Sequence, residues 1–243
     1  MKIGGLQKLS LIDFPNKVAA TVFLTGCNFK CGFCQNPELV DPSKIKNQPE
    51  VSKKEFFEFL DSKIGLIDGI CITGGEPTIN PELPEFIKKI KDKGFLIKLD
   101  TNGSKPEVLS KLVDEKLIDF IAMDIKTSVD VKIKNQKLKI KNYDKATGVS
   151  VNLKKILRSV ELIKNSEIDY EFRTTVVPGL VDESDIEKIG AWLSDAKKFA
   201  LQQFQNKKVL DKNFEKIQPY TEEVLKEFKK ILEKYIEDVE LRV

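Results

Sequence analysis

Short apolar runs alternate with amphipathic segments along most of this chain. The runs are rich in Val, Ile, Leu and Phe, which is typical of buried strands. The segments between them place apolar residues three and four positions apart, which is typical of helices packed on one face. Six strands are predicted, at Val18–Thr25, Ile67–Thr73, Phe95–Thr101, Phe120–Ile125, Asp169–Val177 and Phe199–Phe204.

Helix start signals support the amphipathic segments. Ser52 and Glu55 have the spacing of a capping box, as do Ser104 and Glu107, and Asn80 precedes a proline. The predicted helices are Ser52–Ser62, Asn80 to a stop at Gly94, Ser104–Glu115, Asn152–Lys164, Asp182–Ser194 and Thr221–Asp238. Repeated strand–helix order predicts an α/β fold with a parallel sheet and right-handed crossovers. We expect one domain over residues 1–243, with a C-terminal helix at about 221–238.

The repeat is interrupted between Lys126 and Gly148. Val131–Lys141 alternates apolar residues with Lys on both sides of a central Asn-Gln, which predicts a two-stranded hairpin with a cationic face. This Lys-rich hairpin would lie in an insertion of about residues 128–145. A solvated surface insertion and a docking surface for an acidic partner both fit the pattern.

Composition excludes several classes of function. The chain has 41 Lys plus Arg against 38 Asp plus Glu, a net charge of +3, so a general nucleic-acid binder is not indicated. It contains 0 His, which excludes Ser-His-Asp and Cys-His catalysis and His-ligated metals. No signal peptide or membrane-spanning run is evident, so we expect a cytoplasmic protein with no membrane partner. Reduced thiols in that compartment favour metal binding over disulfides.

Three of the 4 cysteines, Cys27, Cys31 and Cys34, lie within eight consecutive positions. A closed zinc site needs four ligands, and the remaining Cys71 falls inside a predicted buried strand. A cysteine in such a strand commonly packs as a small apolar side chain. Three thiolates instead suit an iron–sulfur cluster with one iron left open for a further ligand.

A polar motif also follows each of the next three strands. These motifs are Gly74-Gly75-Glu76-Pro77, Asp100-Thr101-Asn102-Gly103 and Asp124-Ile125-Lys126. In parallel α/β folds, active sites lie at the edge where the strands end. We therefore expect the cysteines and the three motifs to converge on one site.

The C-x3-C-x2-C spacing followed by GGEP resembles the radical S-adenosylmethionine (radical SAM) superfamily. Further segments resemble the activating proteins of anaerobic ribonucleoside-triphosphate reductase, over most of the chain from Gly5 to about Phe204. These segments are LSLIDFPNKVAATVFLTGCNFKCGFCQNPEL, ITGGEPT, LDTNG, AMDIK and EFRTTVVPG. The resemblance implies a partial (β/α)6 TIM-like barrel of parallel strands.

The resemblance also implies a chemistry. The three cysteines would hold a [4Fe–4S] cluster whose open iron binds the amino and carboxylate groups of SAM. One-electron cleavage would give methionine and a 5′-deoxyadenosyl radical, which in such activases takes a hydrogen atom from a backbone glycine of a partner enzyme. The implied partners are a glycyl-radical enzyme, first of all anaerobic ribonucleotide reductase, and a flavodoxin- or ferredoxin-type electron donor.

Individual roles are implied for residues that match the motifs. Gly74 and Gly75 would let the backbone approach SAM closely, and Glu76 is an acceptor suited to its ammonium group. Lys126, counted with the cysteines among the catalytic residues, would lie near the SAM carboxylate or the substrate, and Arg173 could pair with a carboxylate. Phe33 would lie beside adenine, and Asn102 would reach a ribose hydroxyl. The proposed ligands of a monovalent cation near SAM are Asp100, Thr101 and Asp124. Asp124 would also lie close to SAM itself.

Other functions stay open from the sequence. One is a radical SAM enzyme acting on a small molecule, an RNA base or another glycyl-radical enzyme. An enzyme for a small molecule or an RNA base is expected to have a lid or an extra domain that closes the site. Another is a structural zinc or cluster-binding protein without catalysis. The GGEP motif and the Asp and Lys residues after separate strands argue against the structural role.

Overall fold

The computed structural model describes residues 1–46, 49–129 and 141–243. Its strands are β1 Ile3–Ser10, β2 Ala19–Leu24, β3 Gly69–Gly74, β4 Leu96–Thr101, β5 Phe120–Asp124, β6 Asp169–Val176, β7 Lys198–Gln203 and β8 Asp238–Arg242. Its α-helices are α1 Pro37–Val40, α2 Pro42–Ile45, α3 Lys53–Asp61, α4 Leu83–Lys91, α5 Pro106–Asp114, α6 Lys141–Thr147, α7 Leu153–Lys164, α8 Glu183–Trp192 and α9 Glu222–Leu232. Short 3₁₀ helices span Pro77–Ile79 and Lys212–Lys216. Within these ranges, no helix is long and apolar enough to cross a membrane.

The chain divides into two compact units. The first unit comprises Met1–Asn28, Asn36–Ala122 and Lys155–Asp169. The second unit comprises Phe29–Gln35, Met123–Lys154 and Tyr170–Val243. The first unit contains strands β1-β2-β3-β4 and the first three residues of β5, in that order. The second unit contains the last two residues of β5, followed by β6-β7-β8.

Parallel strands end together in the first unit. Strand β2 pairs with β3 in parallel from Ala19↔Gly69 to Leu24↔Gly74, and β3 pairs with β4 in parallel. Buried Ile, Leu and Val side chains on these strands form the apolar core of the unit. Because the register is continuous, the residues that follow β2 and β3 emerge at the same edge. The predicted parallel α/β arrangement is therefore confirmed here.

The second unit repeats the arrangement. Strand β6 pairs with β7 in parallel, and β7 pairs with β8 in parallel. Helices α8 and α9 bury apolar faces, and α8 begins at a capping box between Asp182 and Asp185. The predicted strands at Asp169–Val177 and Phe199–Phe204 are confirmed within one or two residues at each end.

Two strands are present that the sequence did not predict. Strand β1 runs antiparallel to β2, and strand β8 follows the last helix. The helix predicted over Thr221–Asp238 is therefore too long, because α9 ends at Leu232. The backbone N–H of Ile236 still bonds to the Leu232 carbonyl at 3.0 Å, and its side chain is buried, so the apolar spacing continues past the helix.

One predicted capping box is confirmed and two other predicted helix starts are wrong. Ser52 and Glu55 cap each other at the start of α3. Helix α4 begins at Leu83, and the side chain of Asn80 donates to the Pro77 carbonyl at 3.1 Å. Helix α5 begins at Pro106 without a side-chain cap, because Lys105 and not Ser104 stands at the cap position; the Ser104 hydroxyl instead accepts from Asn28 Nδ2.

The predicted Lys-rich hairpin lies outside the described residues, apart from its last residue. The chain is described again from Lys141, where α6 begins. The hairpin, the insertion around it and the single-domain organisation stay predictions.

Candidate functional site

The GGEP turn fixes the backbone that leads into the first cysteine. The Glu76 N–H donates to the Gly26 carbonyl at 2.8 Å, and the Gly26 N–H donates to the Leu39 carbonyl at 2.7 Å. A β-carbon on Gly75 would lie 2.0 Å from the Gly26 carbonyl oxygen, and one on Gly74 would lie 2.2 Å from the Leu24 carbonyl oxygen. Only glycine allows the two backbone segments to approach this closely. Cys27 follows directly and is partly buried.

Replacing Gly75 by alanine should push this backbone away from Cys27. The new methyl group would overlap the Gly26 carbonyl, so we expect a loss of about 1–3 kcal/mol of stability and a lower iron content after cluster reconstitution. Denaturant unfolding and iron analysis measure the two effects. The matched control is Gly5→Ala, whose methyl group would lie 3.6 Å from the nearest atom of Phe23. Equal behaviour of the two variants would show that the close approach at Gly75 is unimportant.

The segment with the other two cysteines is held within the second unit. The Lys30 N–H donates to the Thr147 carbonyl at 2.8 Å, and the Asp211 N–H donates to the Gly32 carbonyl at 2.9 Å. The Cys34 N–H bonds to the Cys31 carbonyl at 3.0 Å, closing a tight turn. Burial raises the pKa of the Cys31 thiol to about 11, although the charge of Lys126 opposes this shift.

Glu76 is fully buried inside the first unit. Its Oε1 accepts hydrogen bonds from the backbone N–H and hydroxyl of Thr78 and from the Thr101 hydroxyl at 2.8 Å. Its Oε2 accepts from the Asn102 N–H at 2.6 Å. Burial raises the pKa of the carboxyl group, and these donors oppose the shift. Glu76 therefore joins the turn after β3 to the turn after β4, and its role as an acceptor for a ligand ammonium stays a prediction.

The side chain of Asn102 is also engaged within the first unit. Its Nδ2 donates to Asn28 Oδ1 at 3.0 Å, and its Oδ1 accepts from the Ser104 N–H at 2.9 Å. Asn28 Nδ2 in turn donates to the Ser104 hydroxyl at 2.8 Å. The residue after the first cysteine is thus tied to the end of β4. A ribose contact by Asn102, still untested, would have to share or replace one of these bonds.

Lys126, Asp124 and Arg173 form one ion-pair cluster in the second unit. Lys126 Nζ lies 2.9 Å from Asp124 Oδ2, and Arg173 Nη2 lies 2.9 Å from Asp124 Oδ1. Burial alone would raise the pKa of Asp124, but the two cations outweigh it and hold that pKa well below its usual range. Burial would lower the pKa of Lys126, but the negative charge of Asp124 outweighs burial, so the pKa of Lys126 is raised. Asp124 therefore pairs with two cations at once.

Phe33 packs beside this cluster. Its ring centroid lies 6.2 Å from that of Phe214, and Lys126 Nζ lies 5.9 Å from the Phe33 ring. The second distance is that of a cation–π contact. The hydroxyl of Tyr143, a residue that the sequence did not single out, lies 3.5 Å from the Lys126 backbone nitrogen. Burial raises the pKa of that tyrosine.

Asp100 and Cys71 contact a buried lysine in the first unit. Lys98 Nζ forms an ion pair with Asp100 Oδ1 and lies 3.7 Å from Cys71 Sγ. Cys71 is buried in β3, as expected, but its surroundings are polar. Lys98 is not among the residues that the sequence motifs single out. The sequence does contain a signal for this pair. Lys98 stands two positions before Asp100 on a predicted strand, and alternate residues of a strand lie on the same face.

Comparison with known proteins identifies the family. A family model described as the radical SAM superfamily matches residues 21–193. This chain belongs to the radical SAM superfamily. It is 37% identical over 242 residues to a protein of Methanocaldococcus jannaschii, covering 99% of this chain and 95% of that one; the relative is provisionally named a glycyl-radical enzyme activating enzyme. It is 28% identical over 130 residues to the pyruvate formate-lyase-activating enzyme of Clostridium pasteurianum, covering 51% of this chain and 52% of that one.

The fold of this radical SAM enzyme also matches solved structures. SuiB of Streptococcus suis superposes with a TM-score of 0.65 and 14% identity, over 93% of this chain and 49% of that one. At this identity the likeness concerns the fold alone. The α/β class with a parallel sheet is confirmed, and it is consistent with the predicted partial TIM-like barrel.

Membership of the superfamily implies a [4Fe–4S] cluster and SAM. The donor chemistry of this radical SAM enzyme fits a cluster, since thiolates are the usual ligands of iron–sulfur centres. Cys27, Cys31 and Cys34 stand in one short loop, and no cysteine in the described ranges forms a disulfide. In the same ranges, no three His, Cys, Asp or Glu side chains are arranged around a point as ligands of a single metal ion would be.

Proposed function

We propose that this radical SAM enzyme is a glycyl-radical activase, and that its partner is an anaerobic ribonucleoside-triphosphate reductase. The observation that carries the activase assignment is the similarity to a relative of that name over 99% of this chain and 95% of the other. The reductase is proposed from the segments around the cysteines, GGEP, DTNG and DIK that resemble its activating proteins.

Cys27, Cys31 and Cys34 are the proposed cluster ligands. When bound, the cluster supplies the electron for reductive cleavage of SAM and hence the radical that abstracts hydrogen from a glycine. The hydrogen bonds of Gly26 hold the backbone before Cys27 in the first unit. The hydrogen bond of Gly32 holds the backbone between Cys31 and Cys34 in the second unit. The chain thereby fixes the backbone around each thiolate.

Lys126 and Arg173 are the proposed partners of the SAM carboxylate. Both are cationic and largely buried, with side-chain exposures of 15% and 12%. Asp124 pairs with both cations and orients their side chains. Cationic side chains favour an anionic group, and the planar guanidinium can bind a carboxylate through two parallel hydrogen bonds.

Gly74, Gly75 and Glu76 are the proposed contacts for the amino end of SAM. The glycines let this turn pack closely against the backbone before Cys27, and backbone carbonyls are acceptors suited to a ligand ammonium group. Next to this turn, Glu76 adds a buried carboxyl group, which is held by hydrogen bonds from Thr78, Thr101 and Asn102. Phe33 is the proposed apolar contact for adenine, because it lies between the second and third cysteines and an aromatic ring can stack on a base.

The partner assignment is tested by paramagnetic resonance. The reconstituted protein is mixed anaerobically with SAM, a reductant and an anaerobic ribonucleotide reductase, and we expect a glycyl-radical doublet. A reductase with its radical-bearing glycine replaced by alanine should give no doublet. A doublet with pyruvate formate-lyase alone would contradict the reductase assignment. Release of 5′-deoxyadenosine without a radical on either protein would favour a small-molecule substrate instead.

A further inference from the structure

A lysine in the middle of β4 is enclosed within the first unit. Lys98 is 2% exposed, and it stands opposite Cys71 in the register between β3 and β4. Its ammonium group forms an ion pair with Asp100, whose side chain is 15% exposed. A buried ammonium is unfavourable without a counter-charge, and the same holds for a buried carboxylate. Each of the two groups therefore stabilises the charged form of the other.

The three side chains that the resemblance assigns to a monovalent cation are engaged with other groups. Asp100 binds Lys98. The hydroxyl of Thr101 donates to Glu76 Oε1 at 2.8 Å and accepts from the Gly103 N–H at 3.1 Å. Asp124 uses one oxygen for Lys126 and the other for Arg173. Each of the two carboxylates thus already has a cation supplied by the chain.

This donor set does not fit an alkali cation. Hard cations take several oxygen ligands, chiefly carboxylates and carbonyls with lone pairs directed at the ion. An ion bound to Asp100 would approach the ammonium group of Lys98, and the two like charges would repel each other in a poorly solvated environment. Because Lys98 is covalently part of β4, its ammonium group competes with the ion for Asp100 at every salt concentration.

We propose that Lys98 is a built-in replacement for the monovalent cation, so that this enzyme neither binds nor requires one. Lys98 is then a positioning residue that holds Asp100 at the end of β4. The activity arm of the test rests on the proposed function, whereas the stability arm does not.

The test compares K⁺ with tetramethylammonium, an ion too large for such a site, at constant ionic strength. For the reconstituted wild-type protein we expect the same thermal unfolding midpoint and the same rate of 5′-deoxyadenosine release in both salts. Lys98→Met removes the charge and keeps most of the side-chain length. In this variant K⁺ should raise the unfolding midpoint, and the rate should fall by about tenfold in tetramethylammonium and recover in K⁺.

Lys91→Met is the matched control. Lys91 also pairs with an aspartate in the first unit, at 2.8 Å from Asp119, but outside the motifs. Its midpoint should fall equally in both salts. A wild-type midpoint that rises with K⁺ would overturn the proposal, and this holds even where Lys98→Met does not fold. Absence of SAM cleavage in every salt would instead refute the proposed function while the unfolding comparison still tests Lys98.

Discussion

Replacing Cys31 by alanine is expected to abolish cluster assembly and SAM cleavage, while replacing Cys71 by alanine should leave the cluster in place. Cys31 lies in the tight turn that Cys34 closes, and its thiol is one of three proposed cluster ligands. Loss of one thiolate from a three-thiolate site leaves an iron without a protein ligand. Cys71 instead contacts Lys98 and Asp100 on the neighbouring strand β4.

The measurement is the iron and sulfide content of anaerobically reconstituted protein, together with 5′-deoxyadenosine release. The wild-type protein should contain iron and sulfide in near-equal amounts, and Cys31→Ala should contain little of either. Cys71→Ala serves as the control for loss of a buried cysteine. Stoichiometric zinc without sulfide in the wild type, or loss of iron in Cys71→Ala, would contradict the ligand assignment.

Asp124→Asn is expected to destabilise the protein by about 2–4 kcal/mol, because it leaves Lys126 and Arg173 largely buried without their shared carboxylate. The figure lies towards the lower end for breaking a buried ion pair, since the Asp124 side chain is 30% exposed. The lowered pKa of Asp124 means that its contribution is present at neutral pH and is lost as the pH falls through the folded-state pKa.

Urea unfolding under anaerobic conditions measures this loss. The control is Glu222→Gln, which removes an exposed i,i+4 pair with Lys226 on α9 and should change stability only slightly. Equal unfolding midpoints for the two variants would show that the cluster is not a buried charge network. Increasing salt should reduce any effect at Glu222 and leave most of the effect at Asp124.

The strands and helices with strong periodicity could be predicted, and those without it could not. Strand β1 contains two adjacent glycines and runs from a buried Ile3 through exposed positions to a buried Ser10, so it lacks the alternation of an edge strand. The end of α9 was missed for the opposite reason. Tyr235 and Ile236 continue the helical spacing, although their N–H groups both bond back to Leu232 and the chain then leaves to form β8.

The site could be predicted as a set of strand-end motifs, but not as a network of contacts. Spacing identifies Cys27, Cys31 and Cys34 because rare residues with a fixed separation are informative by themselves. The pairing of Lys98 with Asp100 depends on burial, which a single lysine in a strand does not reveal. Ser104 shows the same limit, since α5 begins with Lys105 at its cap position and the Ser104 hydroxyl accepts from Asn28, which is distant in sequence.

The enclosed carboxylate of Glu76 has a consequence for ligand affinity. Its four hydrogen bonds hold the turns after β3 and β4 in one arrangement within the protein itself. A ligand that binds to preorganised turns does not have to order them, so less conformational entropy is lost on association. The ordering cost falls on folding instead. Affinity at this edge of the sheet is therefore set in part by the hydrogen bonds that Glu76 makes within the protein.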